Sequence, residues 1–250
     1  MNAFSDHIFA LRLGWDELAK GKFWGYLIPS VAISLVFLVI YALIRLLFGA
    51  IDLLHLIPFI GTYIESGLQG IQSLVNFIMI ESYAFFILTL LSPINCLLSE
   101  KVDNEITGAK FSGGIVRILT DLLRTVMIVL VALFLNLVVM GLWWLISSMT
   151  GFHALDEPIY FLIGAFFIGF SFYDFSLERY SIPNFGSWQF GFSHAPYMLL
   201  TGTLFSLIFS IPYLGIMLAP FLVTIFSTIV YLKLSNRIPQ TTTSGKTSKI

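Results

Sequence analysis

PYMLLTGTLFSLIFSIPYLGIMLAPFLVTIFSTIVYLK, residues Pro196–Lys233, is the stretch whose reading decides the fold. It is apolar almost throughout, yet Ile211-Pro212-Tyr213-Leu214-Gly215 interrupts it. Proline removes a backbone donor and glycine permits the chain to reverse, so the stretch reads as a helical hairpin with its turn at Pro212–Gly215. Its first arm, Pro196–Ile211, reaches roughly 24 Å as a helix, short of the ~30 Å hydrocarbon layer of a bilayer. The second arm, Gly215–Lys233, is longer and contains Pro220. A turn at such depth must be shielded by protein or water. The earlier segment Ile159–Tyr173 is equally brief, roughly 22 Å, and reads as part of a second partial hairpin.

Working outward, three longer apolar runs stand before these: Tyr26–Phe48, a span within Ile71–Leu98, and Thr125–Ser148. Tyr26–Phe48 reaches roughly 35 Å, enough to cross. The 250-residue chain is 58% hydrophobic and 11% charged and carries 25 Phe, against roughly 25% charged residues in an ordinary soluble domain. A water-soluble globule is therefore excluded, and the lipid bilayer is the expected partner. The net charge of −1 gives no basic field for nucleic acid. Cys96, the one cysteine, rules out a disulfide within the chain and reads as a small packing residue. In Met1–Gly25, Phe4, Ile8, Leu11 and Trp15 recur at helical spacing among Asp6, Arg12, Asp16, Glu17, Lys20 and Lys22. That pattern predicts an N-terminal amphipathic helix at the interface. No small-residue cleavage site follows the first apolar run, which is too long for a signal peptide.

Lys and Arg concentrate in cytoplasmic loops. Here they precede the first span, fill the interval between the second and third (Lys101, Lys110, Arg117, Arg124), follow Tyr173 (Arg179) and close the chain (Lys233, Arg237, Lys246, Lys249). Gly49–Gly70 and Gly151–Pro158 carry none, so both termini are expected in the cytoplasm. Trp24, Tyr26, Trp143 and Trp144 sit near span ends, and Phe185–His194, with Trp188, reads as interfacial. Residues 239–250, rich in Thr, Ser and Lys, read as a disordered cytoplasmic tail following a single membrane domain, 1–238. Ile57-Pro58-Phe59-Ile60-Gly61 echoes the break at Pro212, which reads as two turns using the same chemistry.

No nucleophile, base and metal set is visible, and His7, His55, His153 and His194 lie apart without ligand-like spacing, so neither catalysis, metal nor cofactor is expected. Polar groups inside the apolar runs are the better guide, because an ionisable side chain at the bilayer centre costs about 2.5–3.5 kcal/mol on insertion scales. Glu81 and Arg45 qualify, Arg45 being able to snorkel and Glu81 to pair with it or face a permeation path. Asn136 reads as an interhelical hydrogen-bonding amide. Pro93 should kink the second span and leave the Thr89 carbonyl without its usual partner. The alternating charges Glu100, Lys101, Asp103, Glu105, Lys110, Arg117, Asp121 and Arg124 read as a solvated, ion-paired helix. Asp174 suits a helix cap, with Arg179 neutralising a nearby acid, and Ala165 with Gly169 forms a small-xxx-small face for close helix approach.

Ser92-Pro93-Ile94-Asn95-Cys96-Leu97-Leu98-Ser99-Glu100-Lys101-Val102, Tyr173-Asp174-Phe175-Ser176-Leu177-Glu178-Arg179 and Ile211-Pro212-Tyr213-Leu214-Gly215 with Leu218-Ala219-Pro220 occur in an order that resembles the CysZ/etoposide-induced-protein family. The resemblance covers most of the chain. It implies an all-α integral protein of the inner (plasma) membrane, with two long transmembrane helices and two helical hairpins that only partly penetrate. It also implies a homo-oligomer taking up a small inorganic anion, sulfate first, for cysteine synthesis. The family's Gly-Leu-Arg type anion motif falls on Gly21-Lys22-Phe23-Trp24, where lysine replaces arginine. Gly21, Lys22 and Phe23 are thus the expected substrate-binding residues: a helix N-terminus and a cation suit an anion. Glu81, Asn95, Glu100 and Lys101 are the expected pore or vestibule residues. The rival expectation, from another class, is a scaffold or membrane-shaping protein whose shallow hairpins displace lipid.

Overall fold

A computed structural model describes residues 2–51, 61–109, 115–212 and 214–239. The side chains of Arg45, Glu81, Arg117 and Asp121, the Ile57–Gly61 echo up to residue 60, Lys110, Tyr213 and the tail from 240 lie outside the described residues.

The described residues form helices and turns with no strand: α1 (Ala3–Ala19), a 3₁₀ turn (Trp24–Tyr26), α2 (Leu27–Ile51), α3 (Gly61–Thr107), α4 (Ile115–Thr150), a 3₁₀ turn (His153–Leu155), α5 (Asp156–Arg179), α6 (Asn184–Ser193), α7 (Ala195–Phe209) and α8 (Leu214–Leu234). Among the described residues, four segments are long and apolar enough to cross a membrane: Ala84–Thr107, Leu123–Thr150, His153–Arg179 and Leu214–Leu234. Two further pairs meet at near right angles, α1 with Trp24–Ile40 at 90° and α6 with α7 at 88°.

One segment is longer than expected. Ile159–Tyr173 is only the middle of α5, which has 24 residues, roughly 36 Å. Its first turn holds Asp156 and Glu157, favourable beside the helix N-terminus. Its last two turns take in Asp174, Glu178 and Arg179, all buried and facing other helices, so polar residues that read as the end of the segment belong to it. The α7–α8 hairpin is unequal, as the sequence suggested: α7 has 15 residues and α8 has 21.

Neither internal proline breaks its helix. Pro93 withdraws the donor due to the Thr89 carbonyl, and Ser92 Oγ donates to that oxygen instead at 2.9 Å. Pro220 does the same to the Ile216 carbonyl, and Ser34 Oγ on α2 donates to it at 3.3 Å. The gap left by one proline thereby becomes a hydrogen bond between α2 and α8.

The most extensive helix pairing is α5 with α7, followed by α4 with α5 and α3 with α8. α8 is mostly enclosed. By contrast α4 turns Met127, Leu130, Phe134, Leu142, Leu145 and Met149 outward. An apolar face of this length is rare on soluble proteins and suits lipid.

α1 is mounted with its polar side inward. It buries Asp6, His7, Ala10, Gly14, Glu17 and Leu18, while Phe4 and Trp15 stay more than half exposed. Asp6 accepts from the Tyr197 hydroxyl (2.7 Å, α7) and pairs with Lys233 Nζ (2.8 Å, α8). The His7 ring bridges the Ala3 carbonyl (Nδ1, 2.7 Å) and Thr201 Oγ1 (Nε2, 2.8 Å), and Thr201 Oγ1 is 3.2 Å from the Tyr173 hydroxyl. Burial pushes the His7 pKa below its ordinary 6.5, with the Ala3 carbonyl and Asp6 pulling partly back. Burial alone would raise Asp6, but the bonds from Lys233 and Tyr197 outweigh it and hold the carboxyl below 3.8. Both groups bind fewer protons folded than unfolded, so both contribute stability at neutral pH that acid removes. His7 loses its share as pH falls from 6.5 through its lowered pKa, and Asp6 loses its share below 3.8. The expected result is faster amide exchange in α1 at pH 5.5 than at pH 7.5, after correction for intrinsic rates, and a flattened step in His7→Gln. Equal protection at both values would exclude a buried neutral His7.

Candidate functional site

One face of α3 carries Ser92, Asn95, Ser99 and Asp103, spaced three, four and four residues apart and each fully buried. Helical spacing of three and four stacks these side chains into a polar stripe within the apolar bundle. The stripe ends on charge. Arg179 Nε of α5 lies 3.1 Å from Asp103 Oδ2, and Arg179 Nη2 donates to Ser99 Oγ at 2.9 Å. The Ser99 hydroxyl also lies 2.8 Å from Thr228 Oγ1 on α8 and 3.3 Å from Ser176 Oγ on α5. Tyr180 donates to Asp103 Oδ2 at 2.6 Å, and the Arg237 guanidinium stacks 3.7 Å from the Tyr180 ring centre. Burial, then the bond to Asp103, raises the Tyr180 pKa, so its proton stays in place.

Beside this cluster, Thr125 of α4 donates to Glu178, and Cys96 Sγ lies 3.4 Å from Thr125 Oγ1. Arg124 donates to the Ile182 carbonyl (2.6 Å), Asn184 Oδ1 (2.9 Å) and Ser187 Oγ (3.2 Å), and approaches Asp174 Oδ1 at 3.7 Å. Two expectations change. Asp174 caps nothing and lies within α5 facing Arg124, and Asp103 is no solvated charge but the enclosed partner of Arg179.

Of the expected site residues, Asn95 stands inside the stripe with neither amide atom partnered. A fully buried, unpartnered amide costs about 1–3 kcal/mol, a cost that a water or another polar guest would remove. Glu100 is half-buried on the next turn, and Lys101 is exposed and pairs with Glu105 at 2.7 Å. Lys22 reaches the same carboxylate at 2.8 Å and Glu17 at 2.8 Å, and those two acids raise its pKa, Glu105 first. Lys20 pairs with Glu17 as well. Lys22 and Lys101 are thereby brought together, with Glu105 between them. Gly21, at φ 82°, ends α1: the Gly21 and Lys22 amides donate to the Leu18 (2.9 Å) and Glu17 (3.3 Å) carbonyls. They close α1 rather than open a pocket at α2. Phe23, at φ 71°, is buried.

Arg179, Tyr180, Ser176 and Thr228 complete the cluster and were not singled out as site residues from sequence. The three-four-four run of Ser92, Asn95, Ser99 and Asp103 was the available signal.

Bundle, stripe and lipid-suited surface define an all-helical chain compatible with an integral membrane protein. No family model, curated protein or solved structure matches it.

Proposed function

We propose that this chain passes a small inorganic anion across a membrane, with sulfate as the first candidate and the charged end of the bundle facing the cytoplasm. The observation that carries this reading is the buried stripe leading from Asp103 and Arg179 to the unpartnered amide of Asn95. Donors suited to an oxyanion meet at Ser99, the Arg179 guanidinium and the hydroxyls of Ser176 and Thr228, and the Asn95 amide lies one turn along the same face. Charge-assisted bonds from a planar guanidinium are the strong means of holding an oxyanion once water is stripped away. Lys22 and Lys101 would attract the anion at the mouth, where it must displace Glu105. The proposal includes a homo-oligomer, with both termini on the cytoplasmic side and no cofactor.

The specific observation favouring a membrane-shaping scaffold is the outward apolar face of α1 together with the engagement of Lys22 by two carboxylates. Radiolabelled sulfate flux into proteoliposomes separates the two. Saturable flux above empty vesicles, reduced at least tenfold in Asn95→Leu at a melting temperature no lower than the parent's, is expected. Flux equal to empty vesicles rejects the permease and leaves the scaffold.

A further inference from the structure

At the opposite end of the bundle, α3, α4, α5 and α7 leave an open cleft of about 400 Å³ whose lining includes Asn136, Glu157, Phe85, Phe161, Met140 and Phe209. We infer that this cleft binds a primary ammonium group carried on an apolar body. The inference does not rest on anion transport and concerns a separate site.

Among the described residues Asn136 makes no interhelical hydrogen bond. Its Nδ2 meets only Met140 Sδ on its own helix, at 3.5 Å, and its buried Oδ1 has no partner. An amide oxygen accepts and never donates, so the missing partner is a donor. The residue is fully buried, and in so apolar a setting an unfilled acceptor is costly. Met140, unbranched and readily rotated, sits beside the amide and also lines the cleft.

Charge selects among donors. Among the described residues no lysine or arginine lines the cleft, and Glu157 does, exposed on the first turn of α5. The depth follows from helix register. Trp143 of α4 donates to Asp156 at the start of α5 (2.9 Å), and Asn136 lies two turns further down α4, roughly 10 Å away. A ligand is thus met first by a carboxylate and then by an amide oxygen, with an anion disfavoured at both. Between them Phe85, Phe161 and Phe209 offer apolar and aromatic surface, which suits an alkyl chain and attracts a cation. The volume falls in the ordinary range for a small ligand.

An ammonium on an apolar chain has two sources, a phosphatidylethanolamine of the surrounding bilayer or a free alkylamine. Tritiated n-octylamine binding is therefore measured on the full chain in phosphatidylcholine nanodiscs, with empty discs subtracted, and repeated with phosphatidylethanolamine included. Saturable binding is expected, at least tenfold weaker in Asn136→Leu and severalfold weaker in Glu157→Gln, with octanoate failing to compete. Asn136→Leu removes the unfilled acceptor and should keep the fold, while Glu157→Gln changes only the exposed rim. Loss of octylamine binding on adding phosphatidylethanolamine assigns the cleft to the lipid, and retention assigns it to the free amine. Binding that does not saturate, is unmoved by both substitutions, or is matched by octanoate overturns the proposal.

Discussion

Gly202→Val is expected to remove most of the folded, monodisperse protein, because a Cβ at that position would lie 1.8 Å from the Ala165 carbonyl oxygen and 2.5 Å from its carbon. Gly169 mirrors it from the other helix, where a Cβ would meet the Met198 carbonyl oxygen at 1.9 Å. Both obstacles are backbone, so no rotamer change relieves them and α5 and α7 must move apart. These helices form the most extensive pairing in the bundle. Overpacking alone costs about 1–3 kcal/mol, and separating the pair adds the packing it held. A loss of about 3 kcal/mol corresponds to roughly 6–12 °C in melting temperature for a chain of this size. Gly141 on α4 supplies the control, since nothing lies within 4 Å of its Cβ position. Gly141→Ala should leave the protein unchanged or stabilise it by about 0.5–1 kcal/mol through backbone entropy. If Gly202→Val melted within a degree of the parent, the α5–α7 crossing described here would be wrong.

That crossing was half legible in the sequence. Ala165 and Gly169, four residues apart, announced a close helix contact but not that Gly202 would supply the opposite wall, because their partner comes from a different segment. The break before Gly215 was legible for a similar local reason: a Cβ there would lie 2.4 Å from the carbonyl oxygens of both Ile208 and Phe209. The length of α5 was not. Asp174, Glu178 and Arg179 read as the end of an apolar run, and only the facing α3 and α4 make them tolerable inside a helix. α1 inverts the usual pattern as well. Its periodicity predicted the helix, whereas the burial of Asp6 depends on Tyr197 and Lys233 from far along the chain. Within the candidate site, Asn95 was visible as a polar residue in an apolar span. Lys22 was visible as a cation, and its two carboxylates bear on whether that cation is free to meet a ligand.

The pairing of Asp103 with Arg179, residues distant in sequence and both enclosed, is where the stability of the bundle and its proposed activity can be pulled apart. Arg179→Met should cost about 3–5 kcal/mol, because it strands the Asp103 carboxylate in a dry interior. Adding Asp103→Leu to Arg179→Met should recover most of that loss, since replacing a buried ion pair by apolar groups of similar volume is often neutral or better. The remaining polar groups permit this. Ser99 keeps Thr228 and Ser176, Thr107 Oγ1 keeps the backbone carbonyl of residue 103, and Tyr180, half exposed, can turn its hydroxyl to water. A double-mutant cycle in thermal denaturation should therefore give a coupling at least as large as the part of the Arg179→Met loss that Asp103→Leu recovers, whereas additive losses would show that the two side chains do not share their burial cost. The same variants then separate structure from transport. A pair that serves only the fold would let the double variant regain sulfate flux along with its melting temperature. If Arg179 holds the anion, the double variant melts like the parent and carries no more sulfate than empty vesicles.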